Sequence, residues 1–404
     1  MPPLTRDVSG VRHLFVTQDF PPVRGGMARR HVELCRRIAG VRVSTVAHPD
    51  AARVDAAEPY PVHRQPFPFT RAKLFSNQLR WAHWLRSYAA RDGVGVLHCG
   101  NLRPVGLPVL LASRRARAPY VLYVNGLDLL VERRKAARGA VPRWQSRQVF
   151  GGARGIVANS AFTGMLAADV MREVGVRTPP PIACIDLGTD PAYFHPGRDR
   201  RALRRRWGVG DRPVLLTVAR LVRHKGQDSA IRALALLRDR APDAHYVVVG
   251  EGADAERLRA LAAELHVADR VVFAGALTDD EIAEAYATAT LYVGLSRSEG
   301  TFEIEGFGIS FIEAGASGTP AVAGRSGGIP SAVRDGETGV LVDPTDAAAA
   351  ADAIAALLAD DMRRTAMGAA ARRAAETHFN WDRVAAETLA FVHRIAPDSD
   401  ASSR

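Results

Sequence analysis

Short, almost uninterrupted apolar runs separated by helix-length segments recur from one end of this 404-residue chain to the other, and that alternation limits the fold most. In the first half the runs lie at 14–16, 41–46, 96–98, 120–124, 155–158 and 182–185. In the second they lie at 214–218, 246–249, 271–273, 291–293, 320–322 and 340–342. A strand that is apolar on both faces must be covered on both faces, which is the habit of parallel sheets. Intervening helices, expected for example at 27–38, 227–238 and 279–288, supply that cover in a doubly wound α/β arrangement.

A polar, arginine-rich break at His195-Pro196-Gly197-Arg198-Asp199-Arg200 separates the two series and reads as an interdomain linker. The expected organisation is one Rossmann-like domain over 1–196, a second over 197–378, an amphipathic helix over 379–395 and a disordered polar tail over 396–404. Two such domains facing each other would take a ligand in the crevice beyond the carboxyl ends of their strands. With 47% hydrophobic residues, each can bury a core. No apolar run reaches the roughly eighteen residues that span a bilayer, and Met1-Pro2-Pro3 opens no secretory leader. Cys35, Cys99 and Cys184 fit neither a zinc site nor a disulfide framework, which suits a reduced, cytoplasmic setting.

The net charge of +11 is unevenly shared. Up to Pro196 there are 28 Lys and Arg against 13 Asp and Glu, a balance of +15 that leaves −4 for the rest. Such asymmetry suits an anionic partner for the first half, or else reflects a chain that is simply rich in arginine.

The segment Glu305-Gly306-Phe307-Gly308-Ile309-Ser310-Phe311-Ile312-Glu313 sets two carboxylates eight positions apart around a glycine-rich helix start. The helix is expected to stop near Gly318 and feed a strand at 321–323. Its glycines let a ligand approach bare backbone, and its first N–H groups lack intrahelical partners. Those donors favour an anion or sugar oxygens. A carboxylate accepts two hydrogen bonds from a vicinal diol, so the two glutamates can hold a hexose and a ribose at opposite ends of one ligand. The plainer alternative is an amphipathic helix with two solvated glutamates.

Upstream, Thr217-Val218-Ala219-Arg220-Leu221-Val222-Arg223-His224-Lys225-Gly226 places Arg220 and Lys225 just after a strand. A guanidinium fork and a point-charge ammonium suit two phosphates. A departing diphosphate needs cations or a metal to meet its growing charge. Asp398-Ser399-Asp400 is an acidic pair of metal-binding type, but it lies in the tail and carries little weight.

Together with Gly324-Arg325-Ser326-Gly327-Gly328-Ile329-Pro330 and Asp335-Gly336-Glu337-Thr338-Gly339, these segments resemble the retaining nucleotide-sugar glycosyltransferases of family four, which share the GT-B fold. The resemblance covers nearly the whole chain and is densest from Val214 to Val342. It implies that Arg220 and Lys225 bind the donor diphosphate in place of a metal. It further implies that Glu305 holds donor hexose hydroxyls and Glu313 the ribose. Phe307, Gly308 and Ile309 would offer backbone N–H groups, and the base would lie against the loop near Ala276 and Leu277. The last helix would cross back to the first domain, anchored by Trp381 and Phe391.

In the first half, Thr17-Gln18-Asp19-Phe20-Pro21-Pro22-Val23-Arg24-Gly25-Gly26 is similar to the loop after the first strand of bacterial phosphatidylinositol mannosyltransferases. Gly25 and Gly26 would allow close approach to phosphates. Many relatives carry His-Gly-x-Glu or His-Gly-x-Asp where this chain has Asn125-Gly126-Leu127-Asp128. Asn125 can hydrogen-bond but cannot be protonated near neutral pH, which removes a titrating group from that position. Retention in the family is ascribed to front-face attack, with a leaving phosphate oxygen taking the acceptor's proton, so no protein nucleophile is implied. Asp19 and Asp128 are candidates for orienting the acceptor.

Arg71, Lys73, Arg80 and Arg86 interleave with Leu74, Phe75, Leu79, Trp81, Trp84 and Leu85 in one expected helix. Arg133, Arg134, Lys135, Arg138, Arg143 and Arg147 follow, with Trp144 among them. Basic helices with tryptophans suit an anionic bilayer surface; alternatively the aromatics are core and the arginines are solvated. No recognised module presents these charges to nucleic acid. The leading expectation is a metal-independent, retaining hexosyltransferase without cofactor. It would lean toward mannose from GDP-mannose and toward a lipid-linked alcohol, acting in the cytoplasm or on the inner face of the cell membrane. A soluble acceptor, a sugar-nucleotide epimerase of the same fold and a non-catalytic basic module are the alternatives.

Overall fold

The computed structural model describes residues 11–23, 25–66, 74–199, 201–298 and 303–395. Arg24, Arg71, Lys73, Arg200 and the tail from 396 onward lie outside the described residues, and with them the expectations placed on those positions.

Two compact units divide the chain: one takes the residues up to Asp186 and those from Trp381 onward, the other runs from Leu187 to Asn380. The first is built on seven strands, β1 (Arg12–Val16), β2 (Arg42–Val46), β3 (Val62–Gln65), β4 (Val94–Cys99), β5 (Tyr120–Val124), β6 (Gly155–Ala158) and β7 (Ile182–Cys184). They pair in parallel in the order β3-β2-β1-β4-β5-β6-β7. Leu14 of β1 lies opposite Arg42 on one side and Leu97 on the other, so the winding reverses at β1. In doubly wound sheets that reversal opens a crevice at the carboxyl ends of the strands. Phe15, Leu97, Leu122 and Tyr123 are wholly buried, as strands covered by helices on both faces require.

The second unit carries β8 (Val214–Val218), β9 (His245–Val249), β10 (Val271–Gly275), β11 (Leu291–Gly294), β12 (Ala321–Gly324) and β13 (Gly339–Val342). These are again all parallel, in the order β10-β9-β8-β11-β12-β13, with the reversal between β8 and β11. Its core gathers Leu215, Leu234, Tyr246, Val248, Val293 and Ile354.

Two details depart from the sequence reading. Strand β3, Val62-His63-Arg64-Gln65, was not expected, because it has no apolar run; as an edge strand it is only half covered. The division between units falls at Asp186/Leu187, before the polar break at 195–200. The reason is packing: Phe194 is buried against Tyr286 of the second unit, with ring centroids 5.8 Å apart. Arg372 fixes the same stretch by donating to the carbonyls of Pro191 and Phe194, each at 2.8 Å.

The final helix, Trp381–Ile395, is part of the first unit. Trp381 and Phe391 are buried there, and Gly155 of β6 has no room for a Cβ, which would meet Phe391 Cζ at 2.7 Å. Arg37 clasps Asp382 at 2.6 Å, and Arg383 donates to the Asp186 carbonyl at 2.6 Å. Of the interleaved helix, now Leu74–Asp92, Trp81 is core and donates to Ser44 Oγ at 2.9 Å, while Phe75 and Leu79 are exposed.

Candidate active site

In the second unit the chain leaves β8 through Ala219 and Arg220 and makes one tight turn, Arg223–Lys225, before the helix Gln227–Leu236. Gly226 closes that turn at φ +72°, and a Cβ there would overlap the Leu295 carbonyl oxygen, so the turn sits directly on the chain leaving β11. Arg297 tightens the join, since its N–H donates to His224 O at 2.8 Å and its guanidinium grips Asp228 at 2.8 and 3.0 Å. Lys225 thereby reaches across the reversal point: its Nζ donates to Glu305 Oε2 at 2.5 Å, with the two side chains 18% and 21% exposed. Arg220 is exposed, and its guanidinium has no partner among the described residues.

His224 is buried, its Nδ1 3.3 Å from Glu303 Oε2 without the alignment of a hydrogen bond. Burial, and then the charge of Lys225, lower its pKa below the ordinary imidazole value.

The helix Ile309–Ala316 begins at Gly308, whose φ of +101° suits glycine. No side chain caps it and no acid lies in its first turn. The N–H groups of Phe307, Gly308 and Ile309 meet no acceptor among the described residues, which leaves a row of donors at the positive end of a helix. The loop before it is pressed from behind: Gly328 N–H donates to Glu305 O at 2.8 Å, and a Cβ on Gly328 would overlap the Gly306 carbonyl oxygen. The glycines of Gly324–Pro330 are therefore spacers that let two backbones touch.

Glu313 is buried on the inner face of that helix and accepts from Tyr286 Oη at 3.0 Å. Tyr292 of β11 is hydrogen-bonded to Ser310 and lies 3.4 Å from the Val218 carbonyl. Burial raises its phenol well above the usual range, and the charges of Glu305 and Glu313 raise it further. At the expected base loop, Ala276 is exposed and Leu277 buried. The next helix starts with a Thr278–Glu281 capping box, which occupies the N–H groups of those two residues. Among the described residues, no group of three His, Cys, Asp or Glu is placed to hold a metal ion.

The first unit assembles a different site, in which Arg30, His31 and Asn101, not singled out in the sequence, join Asp19, Gly25, Gly26, Asn125 and Asp128, which were. Gly25 and Gly26 are exposed at an uncapped start of the helix Gly26–Cys35, Gly25 at φ +146° with open space around it. That helix buries two consecutive polar side chains, Arg30 and His31, at the ends of β1, β4 and β5. Arg30 donates to Asn125 Oδ1 at 2.9 Å and to the carbonyls of Val124 and Val157, each at 3.4 Å. Burial lowers its pKa to about 10, so it stays cationic at neutral pH.

Asp128 Oδ1 accepts the N–H groups of Asn125 and Leu129, each at 3.0 Å. Its carboxyl is withdrawn from water, and that burial pushes its pKa up to about 6. Arg30 Nε, Asn125 Nδ2 and Asp128 Oδ2 are buried without a protein partner. His31 Nδ1 lies 3.0 Å from Thr17 Oγ1 and 2.9 Å from Asp19 O, and burial lowers its pKa to about 3. Asn101 donates to Asp19 Oδ2 at 2.7 Å; burial raises that carboxyl and the Asn101 bond opposes the rise. Arg30 and His31 sit among Ala28, Val32, Leu34 and Cys35, so helical periodicity was the one available sign that they face inward.

Two parallel, doubly wound units, with cations after β8 and a glutamate-framed helix start after β11, define a glycosyltransferase of the GT-B class. The family model described as "Glycosyl transferases group 1" matches residues 199–374, and "Glycosyltransferase Family 4" matches 24–193. A GDP-mannose-dependent alpha-(1-6)-phosphatidylinositol monomannoside mannosyltransferase of Mycolicibacterium smegmatis is 34% identical over 91% of this chain and 94% of its own length. A protein of the same description from Mycobacterium tuberculosis is 32% identical over 94% and 98%. Among solved structures, a sucrose-phosphate synthase of Thermosynechococcus elongatus superposes with a TM-score of 0.76 at 24% identity, covering 95% of this chain and 99% of that one. The Anabaena protein HepE, bound to UDP and glucose, gives 0.73 at 20% identity over 95% and 99%. At those identities the structural likeness is one of fold. The chain belongs to glycosyltransferase family 4.

Proposed function

We propose that this glycosyltransferase moves mannose from GDP-mannose to a hydroxyl of an inositol-containing lipid, with retention and without a metal. The observation that carries the reading is the Lys225–Glu305 contact at the reversal point of the second sheet, beside the uncapped start of the helix Ile309–Ala316. An ammonium, an exposed guanidinium at Arg220 and a row of free N–H groups can meet the two phosphates and neutralise the leaving diphosphate as charge develops. Glu305 and Glu313 can accept from sugar and ribose diols. The donor and acceptor named here are supported by the descriptions of the relatives that span almost the whole chain. A further relative, from Acidothermus cellulolyticus, is described as a D-inositol 3-phosphate glycosyltransferase and is 37% identical over 71% of this chain and 64% of its own length.

Among the described residues no helix is long and apolar enough to cross a membrane, so contact with a lipid acceptor would be peripheral. Leu127, Val131, Val141 and Trp144 are exposed in the adjoining helices Leu127–Ala137 and Ala140–Gly152, with Arg134, Lys135, Arg138 and Arg143 exposed beside them. Exposed apolar groups set among cations support docking on an anionic leaflet. Mannosyl transfer from GDP-mannose into phosphatidylinositol-containing vesicles tests the reading, with UDP-glucose and soluble inositol phosphate as competing substrates. Transfer only from UDP-glucose, or only to the soluble acceptor, would replace the corresponding half. Release of a free isomerised sugar without acceptor would replace the whole with epimerase chemistry.

A further inference from the structure

We propose that Arg372 is a positioning residue for the donor: it holds the last carbonyl of the helix Ile309–Ala316 and so sets where the free N–H groups at the helix's other end stand. The inference rests on the glycosyltransferase reading above and adds to it a residue behind the helix rather than before it.

A helix of eight residues is about 12 Å long, so a shift at one end is a shift at the other. In its last turn the carbonyls of Glu313, Ala314 and Gly315 accept the N–H groups of Ser317, Gly318 and Thr319. The Ala316 carbonyl would await the N–H of the residue four places on, but that residue is Pro320, which has none. Arg372, in the helix Asp361–Thr377, supplies the missing donor: its Nη1 reaches Ala316 O at 2.6 Å. The same nitrogen donates to the carbonyls of Pro191 and Phe194, each at 2.8 Å, and Nε donates to Glu376 at 2.6 Å. A cation at this end also complements the helix dipole, whose positive end lies at the open N–H row.

The amino end of the helix has no side-chain cap, so its anchorage lies behind it. Gly315 packs on the helix that carries Arg372, where a Cβ would stand 3.2 Å from the Ala371 Cβ, and a Cβ on Gly368 would overlap the Gly318 carbonyl oxygen. Small residues bring the two helices together, and the guanidinium fixes one along the other. The segment that Arg372 grips belongs to the same assembly: Phe194 lies against Tyr286, whose Oη donates to Glu313 on the helix. A surface arginine spends its donors on water; this side chain, 24% exposed, spends them on three backbone carbonyls from two separate segments.

The test uses the full chain with Arg372→Ala, Arg372→Gln and Glu376→Gln, each assayed well below its melting temperature so that every molecule is folded. Measured are kcat with GDP-mannose, GDP affinity, and the Phe307 and Ile309 amide resonances of selectively nitrogen-labelled protein without ligand. Arg372→Ala should lower kcat by about 10 to 10², the scale of a displacement of order 1 Å, and should move the Ile309 resonance. Millimolar guanidinium, far below denaturing concentrations, should restore both, and methylammonium should not. Arg372→Gln keeps one donor group and should lose about fivefold; it carries the same comparison if Arg372→Ala does not fold. Glu376→Gln breaks only a surface ion pair and should stay within about twofold of native. Native kcat or an unmoved Ile309 resonance in the folded Arg372 variants would reduce Arg372 to a structural residue, seen in melting temperature alone. Equal rescue by methylammonium, or an equal loss in Glu376→Gln, would overturn the carbonyl grip. Failure of the native chain to bind GDP or GDP-mannose would instead sink the glycosyltransferase reading, while the resonance shift still tests the hold of Arg372 on the helix.

Discussion

At the carboxyl end of the second sheet the polar groups are charged and partly open to water, as Lys225 and Glu305 show. At the same end of the first sheet they are mostly buried amides, a neutral imidazole and carboxyls with raised pKa values, tied together by Arg30, His31 and Asn101. The two ends share a topology but differ in what a ligand must displace. Charges at a half-open surface suit a diphosphate, which brings its own strong field. Buried, directional donors and acceptors suit hydroxyl groups, which are selected by matching and punished when a partner is missing. On the proposed reading, one end would provide attraction and the other discrimination.

The comparison can be broken most directly at the charged end. Arg220→Ala and Lys225→Ala should each lower kcat by about 10² to 10³, the usual cost of removing one group that stabilises developing negative charge. Unchanged steady-state turnover in either variant would remove that residue from the reaction. Gly328→Ala should cost about 10² in kcat/KM by pushing the Gly306 backbone away from its place, a displacement effect rather than a chemical one. A crystal structure of that variant should show the 305–307 segment moved.

The buried end is sharpened by pH. Asp128 titrates at about 6 in the fold against 3.8 in the unfolded chain. Between pH 4 and pH 6 the unfolded state therefore gives up this proton first, and stability falls as pH rises through that window. Below about pH 4 the penalty is absent, and above about pH 6 it is complete. Native protein should lose roughly 2 to 3 kcal/mol relative to Asp128→Asn across this range, measured by denaturant unfolding at each pH. Parallel curves for the two proteins would show that Asp128 ionises normally. The smallest effect is expected at the surface: Trp144→Ala should weaken sedimentation with anionic vesicles roughly fivefold while leaving transfer to a soluble acceptor intact.

The same contrast explains what could be read without coordinates. Central strands such as Tyr120–Val124 and Val214–Val218 announce themselves because burial on both faces leaves no charged residue in them. Edge strand Val62–Gln65 does not, since its half-covered face accepts His63 and Arg64. The charged end was legible because glycines, cations and glutamates follow one another at fixed spacing in two short segments. The buried end was legible only in part: Asn125, Asp128 and Asp19 stand in segments that resemble the family, whereas Arg30 and Asn101 lie far from them in the chain and are ordinary residue types. Only the fold brings Arg30 to Asn125 and Asn101 to Asp19. The domain boundary was misjudged for a related reason: polarity at 195–200 is visible, whereas the burial of Phe194 is not.

The grip of Lys225 on Glu305 has one more consequence. Paired as they are, these two groups cancel each other, so the turn offers a small free anion little to gain. A fragment carrying only phosphate would take the ammonium and strand the carboxylate; a fragment carrying only hydroxyls would do the reverse. On the donor roles proposed above, a molecule that brings both ends at once would leave neither stranded, and mutual neutralisation would act as a filter for intact activated sugar over its pieces.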